Sequence, residues 1–553
     1  MMRRCLMLLG VLAVLSDRAL AQIGPDAQNA IGTVRPEAIE ADLNFLADDL
    51  LKGRQTGTEG FDMASLYVKT QFTAMGLQPG VDGKTYVQQV PLKKGVVDEK
   101  KSGMRFIVGG KSEELRYDED FVLNTNLVDP SSEVTAPLVY VGFGVYAPEM
   151  GYDDYKNTDV RNKIVVYFDQ APSSFPSNER AYFSSGNVKY AEAVKRGAVG
   201  VVYVEMPDNS RSSWEAIVRN RKQGAFRWID EGGNLPNTFP QLKGIAFFNA
   251  THAEKLFAHS GRAFASIIAD AKADKPTAFP LGMDAQLKVE TTTTAIASSN
   301  LIGLIPGSDP VLKNEYVVYV AHVDHFGVGV PVKGDSIYNG AHDNAAGVAI
   351  VLNVARAFKR LPTPPRRSIL IAIVTAEEYG LLGSDYFATN PTVNRSNMVA
   401  NLTLDMPFFF HPVLDIVPYG AQHSSLSIQV EEAARYLNLA IGPDPFPDQV
   451  LFIRSDHFSF IKKGIPSLFI KSGFKTTDAD TTDRSVTDVA WRRTTYHTPQ
   501  DDSAQAFDFG GAATHVKLNF LVGYLIANAP SRPSWHRGDF FGGKFGKTDG
   551  LAK

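Results

Sequence analysis

The 553-residue chain has a single cysteine, Cys5, and it lies at the start of an apolar N-terminal stretch. Once that stretch is removed, no thiol remains, which excludes disulfides, a thiol nucleophile and a thiolate metal site. Catalysis would then rest on carboxylates, imidazoles or hydroxyls. Net charge is also scarce: 56 Lys and Arg against 60 Asp and Glu leave -4. That is too little for sequence-independent binding of nucleic acid, and a neutral or small substrate fits better. The apolar run 6–15 is about half of the roughly 20 residues a spanning helix needs. With Arg3 and Arg4 before it and Ala19-Leu20-Ala21 after it, it reads as a signal peptide cleaved near Ala21, giving a secreted or periplasmic protein with no membrane span. A Gly-x-Ser-x-Gly elbow is missing around Ser424-Ser425 beside His423, so a serine triad has no support.

What is present is ordinary globular composition, 44% hydrophobic and 21% charged, in a chain long enough for two or three packed units. Residues 33–122 open with helical patterns: Leu43, Leu46 and Leu50 form one stripe, and Met63, Leu66, Phe72 and Met75 suggest a second helix. Between them the glycine-punctuated stretch 52–60 reads as a connecting loop, since no strand precedes it and no Gly-Lys-Ser/Thr follows. Residues 123–285 turn to short β-like runs divided by Pro, Gly and Asp, as expected of an inserted β-rich domain. From 286 to 530 apolar strands alternate with amphipathic helices. This predicts an α/β unit, a mainly parallel sheet with helices on both faces and ligands at the strands' C-terminal ends. Residues 531–553, rich in Gly, Lys and Phe without an apolar period, read as a flexible tail.

Chemistry-bearing residues recur at those strand ends. The run 316–321 leads into His322-Val-Asp324-His325: a neutral imidazole is a good zinc ligand, and a carboxylate accepting its other ring N–H would fix its orientation, the role expected of Asp324. Asp343, in Gly340-Ala-His-Asp343-Asn-Ala-Ala-Gly347, is either a helix N-cap or a carboxylate shared between two cations. The run 368–375 ends in Glu377-Glu378. Two adjacent carboxylates need a compensating charge unless they are solvated, and a metal supplies it if one Glu binds the ion and its neighbour takes a proton from a water. Asp405 follows another apolar run, and His497 lies in a turn ahead of Pro499. Each reading is weak alone; their shared sheet edge is what argues for a site.

These blocks, with the segment 46–60, Leu404-Asp405-Met406 and His497-Thr-Pro499, resemble the co-catalytic dizinc aminopeptidases, the family that includes aminopeptidase Y and glutamate carboxypeptidase II. The resemblance implies two zinc ions bridged by Asp343, one completed by His322 and Asp405, the other by Glu378 and His497, with Glu377 as general base. It implies a zinc-dependent exopeptidase, an aminopeptidase acting on peptides through hydroxide from a water shared by the metals. A departure is His342, where the family commonly has Asp. The insert resembles a protease-associated domain in Val139-Tyr-Val-Gly-Phe-Gly-Val-Tyr-Ala-Pro148 and in 191–204. A carboxypeptidase or other amidohydrolase on the same metals would need a basic anchor. Arg454, beside Ser455-Asp456-His457, is a candidate, although an Arg so placed is commonly a structural ion pair. A receptor-like relative with no activity is a further alternative.

Overall fold

The computed structural model describes residues 23–207, 213–477, 479–480 and 482–546; the expected signal peptide lies outside them. Four parallel strands, in the order Ser368–Val374, Tyr316–His322, Met398–Thr403 and Ser467–Ser472, form the centre of the main sheet. Each is buried along almost its whole length because both faces are covered. Alternation sorts the side chains. Val317, Tyr319 and Ala321 pack under the helices Pro36–Leu46, Ala346–Lys359 and Phe509–Asn528, while Val318 and Val320 face Phe387 and Phe460 of the helices Leu382–Thr389 and His457–Ile461. Pro36 in the first turn and the Asp508 side chain at the N-cap set where two of these helices begin. None of the described helices is long and apolar enough to cross a membrane.

A second sheet is joined to the first by one 27-residue strand, Phe279–Ile305. Its residues 279–290 pair with Gly103–Val108 and Ser131–Tyr140, and its residues 291–301 pair with Val87–Val97 of the main sheet. The second sheet therefore includes residues 103–114, ahead of the start at 123 that the sequence pattern predicts for the insert. Met104 and Phe106 bury into the second core, and that pairing partner, far off in sequence, is what assigns them. The segment 213–242 leaves the second sheet, adds Ala225–Trp228 to the edge of the main one, and returns.

Two local expectations also change. The helix Pro36–Leu46 ends before Leu50, which is 75% exposed, and the next helix, Glu59–Ala74, buries Phe61, Ala64, Val68 and Phe72 but leaves Met63 and Leu66 out. The tail is docked as far as 546. Asp539 caps the helix Phe540–Phe545, Trp535 Nε1 donates to the Gly464 carbonyl, and Phe541 is fully buried among Val417, Tyr419, Phe452 and Phe458. Its aromatic residues supply the anchoring that an absent apolar period concealed. Phe541→Ala should accordingly cost about 3–5 kcal/mol in chemical denaturation; a loss under about 1 kcal/mol would return the segment to a loose tail.

Candidate metal centre

All seven residues singled out by the sequence come together at the C-terminal edge of the parallel strands. His322 ends its strand, Glu377 and Glu378 follow Ser368–Val374, Asp405 follows Met398–Thr403, and Asp343 and His497 approach from turns. His322 Nε2 lies 3.3 Å from Asp343 Oδ1, 3.6 Å from Asp405 Oδ1 and 3.8 Å from Glu377 Oε2. His497 Nε2 lies 3.2 Å from both Asp343 Oδ2 and Glu378 Oε2. Asp343 thus turns one oxygen to each imidazole. It makes no N-cap bond, because the helix Ala346–Lys359 has no side-chain cap.

The donor atoms converge without bonding one another. His322 Nε2, His497 Nε2 and Asp405 Oδ1 are buried and lack hydrogen-bond partners despite these short separations. Ligands at roughly 2.0–2.1 Å from a tetrahedral zinc stand about 3.3 Å apart, which matches the spacing of the set. Among the described residues, two groups are close enough to hold an ion, His322, Asp343 and Glu378, and His322, Glu377 and Asp405. An imidazole and carboxylate set of this kind fits zinc.

Electrostatics argue the same way. Burial, reinforced by Asp405, Glu378 and Asp456, pushes the Glu377 carboxyl well above the usual range against the opposing pull of His322. Burial works against protonated His497, yet the carboxylates of Glu378 and Asp343 raise it to about 9. Asp324 is raised to about 6 by burial. Carboxylates crowded at zero or near-zero exposure call for a cation.

Asp324 orients His322 differently from the expectation. Its main-chain carbonyl lies 3.1 Å from His322 Nδ1, whereas its carboxylate stands 3.8 Å off and accepts the Glu377 N–H at 3.2 Å. One residue therefore steers both the ligand and the neighbouring carboxylate. His342 points away from the centre into Phe408, Phe410, Trp491 and Phe507, and burial holds its pKa far below normal. Arg454 donates to the Tyr496 hydroxyl at 3.1 Å, while both carboxylate oxygens of Asp456 lack a hydrogen-bond partner, so the expected Arg454–Asp456 pair does not form.

Several supporting residues were not singled out. The loop 52–60 is a scaffold more than a connection. Arg54, fully buried, donates to the carbonyls of Val323, Leu46, Asn339 and Gly340, tying the His322 and Asp343 turns together. Gly53, at φ 65°, lets it turn, since a Cβ there would meet Tyr338 O at 2.3 Å. Asp501 accepts the N–H groups of His342 and Asp343, and Asn344 links Leu404 O, Gly347 N and Met406 N. His325 Nδ1 contacts Glu378 Oε1. A Lys-Gly-Arg-Gln run rich in glycine was the available hint for Arg54; Asp501 and Asn344 gave none.

Comparison with known proteins places this edge within one family match. Residues 300–520 match the model of peptidase family M28. A mouse aminopeptidase, NAALADL1, is 32% identical over 142 residues, 25% of this chain and 17% of that protein, so the match spans under a fifth of the relative's length. A probable leucine aminopeptidase 2 of Aspergillus oryzae is 23% identical over 442 residues, covering 78% of this chain and 74% of that one. The solved aminopeptidase from Aneurinibacillus sp. strain AM-1 superposes over 92% of this chain and 97% of its own, with a TM-score of 0.53 at 19% identity, a likeness of fold.

Proposed function

We propose, starting from the peptidase family M28 domain formed by residues 300–520, that this protein is an exported dizinc aminopeptidase. The observation that carries the reading is the convergence of buried, unpartnered imidazole and carboxylate atoms on one sheet edge. His322, Asp405 and one oxygen of Asp343 would hold one zinc, and Glu378, His497 and the other oxygen of Asp343 its partner. Zinc bound there polarises a scissile carbonyl and acidifies a water.

The chain's own residues do the rest. Glu377, held in its raised-pKa pocket, accepts the proton of the attacking water and returns it to the leaving amine. Asp324 holds Glu377 through its amide and His322 through its ring. The aminopeptidase reading is preferred to the carboxypeptidase one because matching relatives are named aminopeptidases and because Arg454, the candidate basic anchor, is engaged by the Tyr496 hydroxyl. Residues 103–290 are read as a protease-associated insert beside the site, and the N-terminal run 1–21 as the export signal.

Metal analysis of the purified chain, with a panel of aminoacyl, N-acetylated and C-terminal reporter peptides, tests this. The expected result is two zinc ions per chain and chelator-sensitive release of N-terminal residues from free-amine substrates alone. Cleavage confined to C-terminal residues would transfer the reading to a carboxypeptidase, and a zinc-bearing chain that cleaves none would make it a receptor-like relative.

A further inference from the structure

We propose that the helix Trp214–Lys222 is a brace reaching from the second unit to one half of the metal centre, the Glu378 and His497 half, with Arg219 as its positioning residue. The proposal rests on the dizinc reading above.

One side of this helix is fastened to its own unit. Arg221 Nη2 donates to the Tyr203 hydroxyl at 2.6 Å, Lys222 Nζ to Asp118 Oδ2 at 2.6 Å, and Trp214 Nε1 to the Asp118 carbonyl at 2.7 Å. The opposite side meets the catalytic unit at two places. Arg219 Nη2 donates to the main-chain carbonyl of His497 at 3.3 Å. Just past the helix, Gln223 Oε1 accepts from Gln55 Nε2 at 3.4 Å, and Gln55 Nε2 also donates to the Tyr379 hydroxyl at 2.8 Å. Phe226, on the edge strand that follows, sets its ring 4.1 Å from that of Tyr379. Tyr379 is the residue after Glu378.

Both contacts therefore end at or beside the two ligands expected to share one ion. The other half is held from within the catalytic unit: His322 by the Asp324 carbonyl, and the Asp405 carbonyl by Lys471 Nζ. His497 also has more need of support. Its φ of 55° lies in the left-handed region, which a non-glycine residue keeps only where the surroundings hold it. A guanidinium on its carbonyl is such a hold, and a ring placed by its own backbone is sensitive to losing it.

The test uses the full chain and zinc alone, titrated in competition with a chromogenic chelator so that two affinities are resolved. Arg219→Ala should weaken one of the two by about ten- to hundredfold, the usual cost of losing a ligand's outer partner, and leave the other unchanged. Arg219→Lys, still able to donate one N–H to the carbonyl, should recover most of the loss. The metal-free melting temperature of both variants should match that of the parent, separating the effect from unfolding. Two unchanged affinities in Arg219→Ala, or equal weakening of both, would overturn the brace, as would a Lys variant no better than Ala. A parent chain that binds fewer than two zinc ions would instead overturn the dizinc reading.

Discussion

Glu377→Gln is expected to lower turnover by about 10²–10⁴-fold, the range for removing a general base, while the folded chain keeps both zinc ions. The reasoning turns on how the adjacent glutamates differ. Glu378 lies within 3.2 Å of His497 and in contact with His325, and its pKa is lowered to about 2, the behaviour of a carboxylate held among cations or metal. Glu377 approaches His322 only to 3.8 Å, and burial among Asp405, Glu378 and Asp456 raises its affinity for a proton. A proton acceptor that must also give the proton back benefits from that raised value; a ligand does not. Its oxygen is nonetheless near enough to His322 and Asp405 to join an ion, so the variant discriminates. Turnover lost with zinc retained makes Glu377 the base. Turnover lost together with one zinc makes it a ligand, and a parallel Glu378→Ala variant, expected to weaken one zinc, supplies the comparison.

What the sequence disclosed about this centre and what it withheld follow one physical line. Strand ends such as His322, Glu378 and Asp405 were legible because a parallel strand buried on both faces is a continuous apolar run, and a charged residue at its end stands out. Helix faces were less legible. Leu50 and Met63 fit a 3.6-residue pattern yet lie exposed, since the pattern gives spacing but neither the point at which Pro36–Leu46 stops nor the face of Glu59–Ala74 that is buried. The second sheet's true extent, the docked tail and the supporting role of Asp501 were not legible at all, and Arg54 was hinted at only by the glycines around it. Each depends on a partner far along the chain: Arg54 bonds to Val323 and Gly340, Asp501 to Asp343, Phe541 to a core that includes Phe452. Local periodicity carries no information about such pairings. Asp324 falls between the two cases. Its involvement could be read from its place two residues after His322, but which of its oxygens faces the ring is decided by the turn.

Asp343→Asn should have the largest effect on the centre, removing most bound zinc and taking activity below that of Glu377→Gln. Asp343 is the residue whose two oxygens face both imidazoles, Oδ1 toward His322 at 3.3 Å and Oδ2 toward His497 at 3.2 Å. Replacing it takes a negative charge from both halves at once and puts an N–H₂, a donor with nothing to give a cation, where an oxygen stood. Asn is the instructive choice because it keeps the side chain's size and shape and removes only its charge and one of its two acceptor oxygens. As a shared ligand, Asp has no substitute in Asn, and both zinc affinities should fall together in the chelator competition. The Asp501 hydrogen bonds to the main-chain N–H groups of His342 and Asp343 do not involve the altered side chain. The turn should therefore keep its shape in the variant, and the loss of metal can be assigned to the missing carboxylate. Two zinc ions retained at parental affinity would remove Asp343 from the centre and leave the buried carboxylates on either side of it without a shared cation.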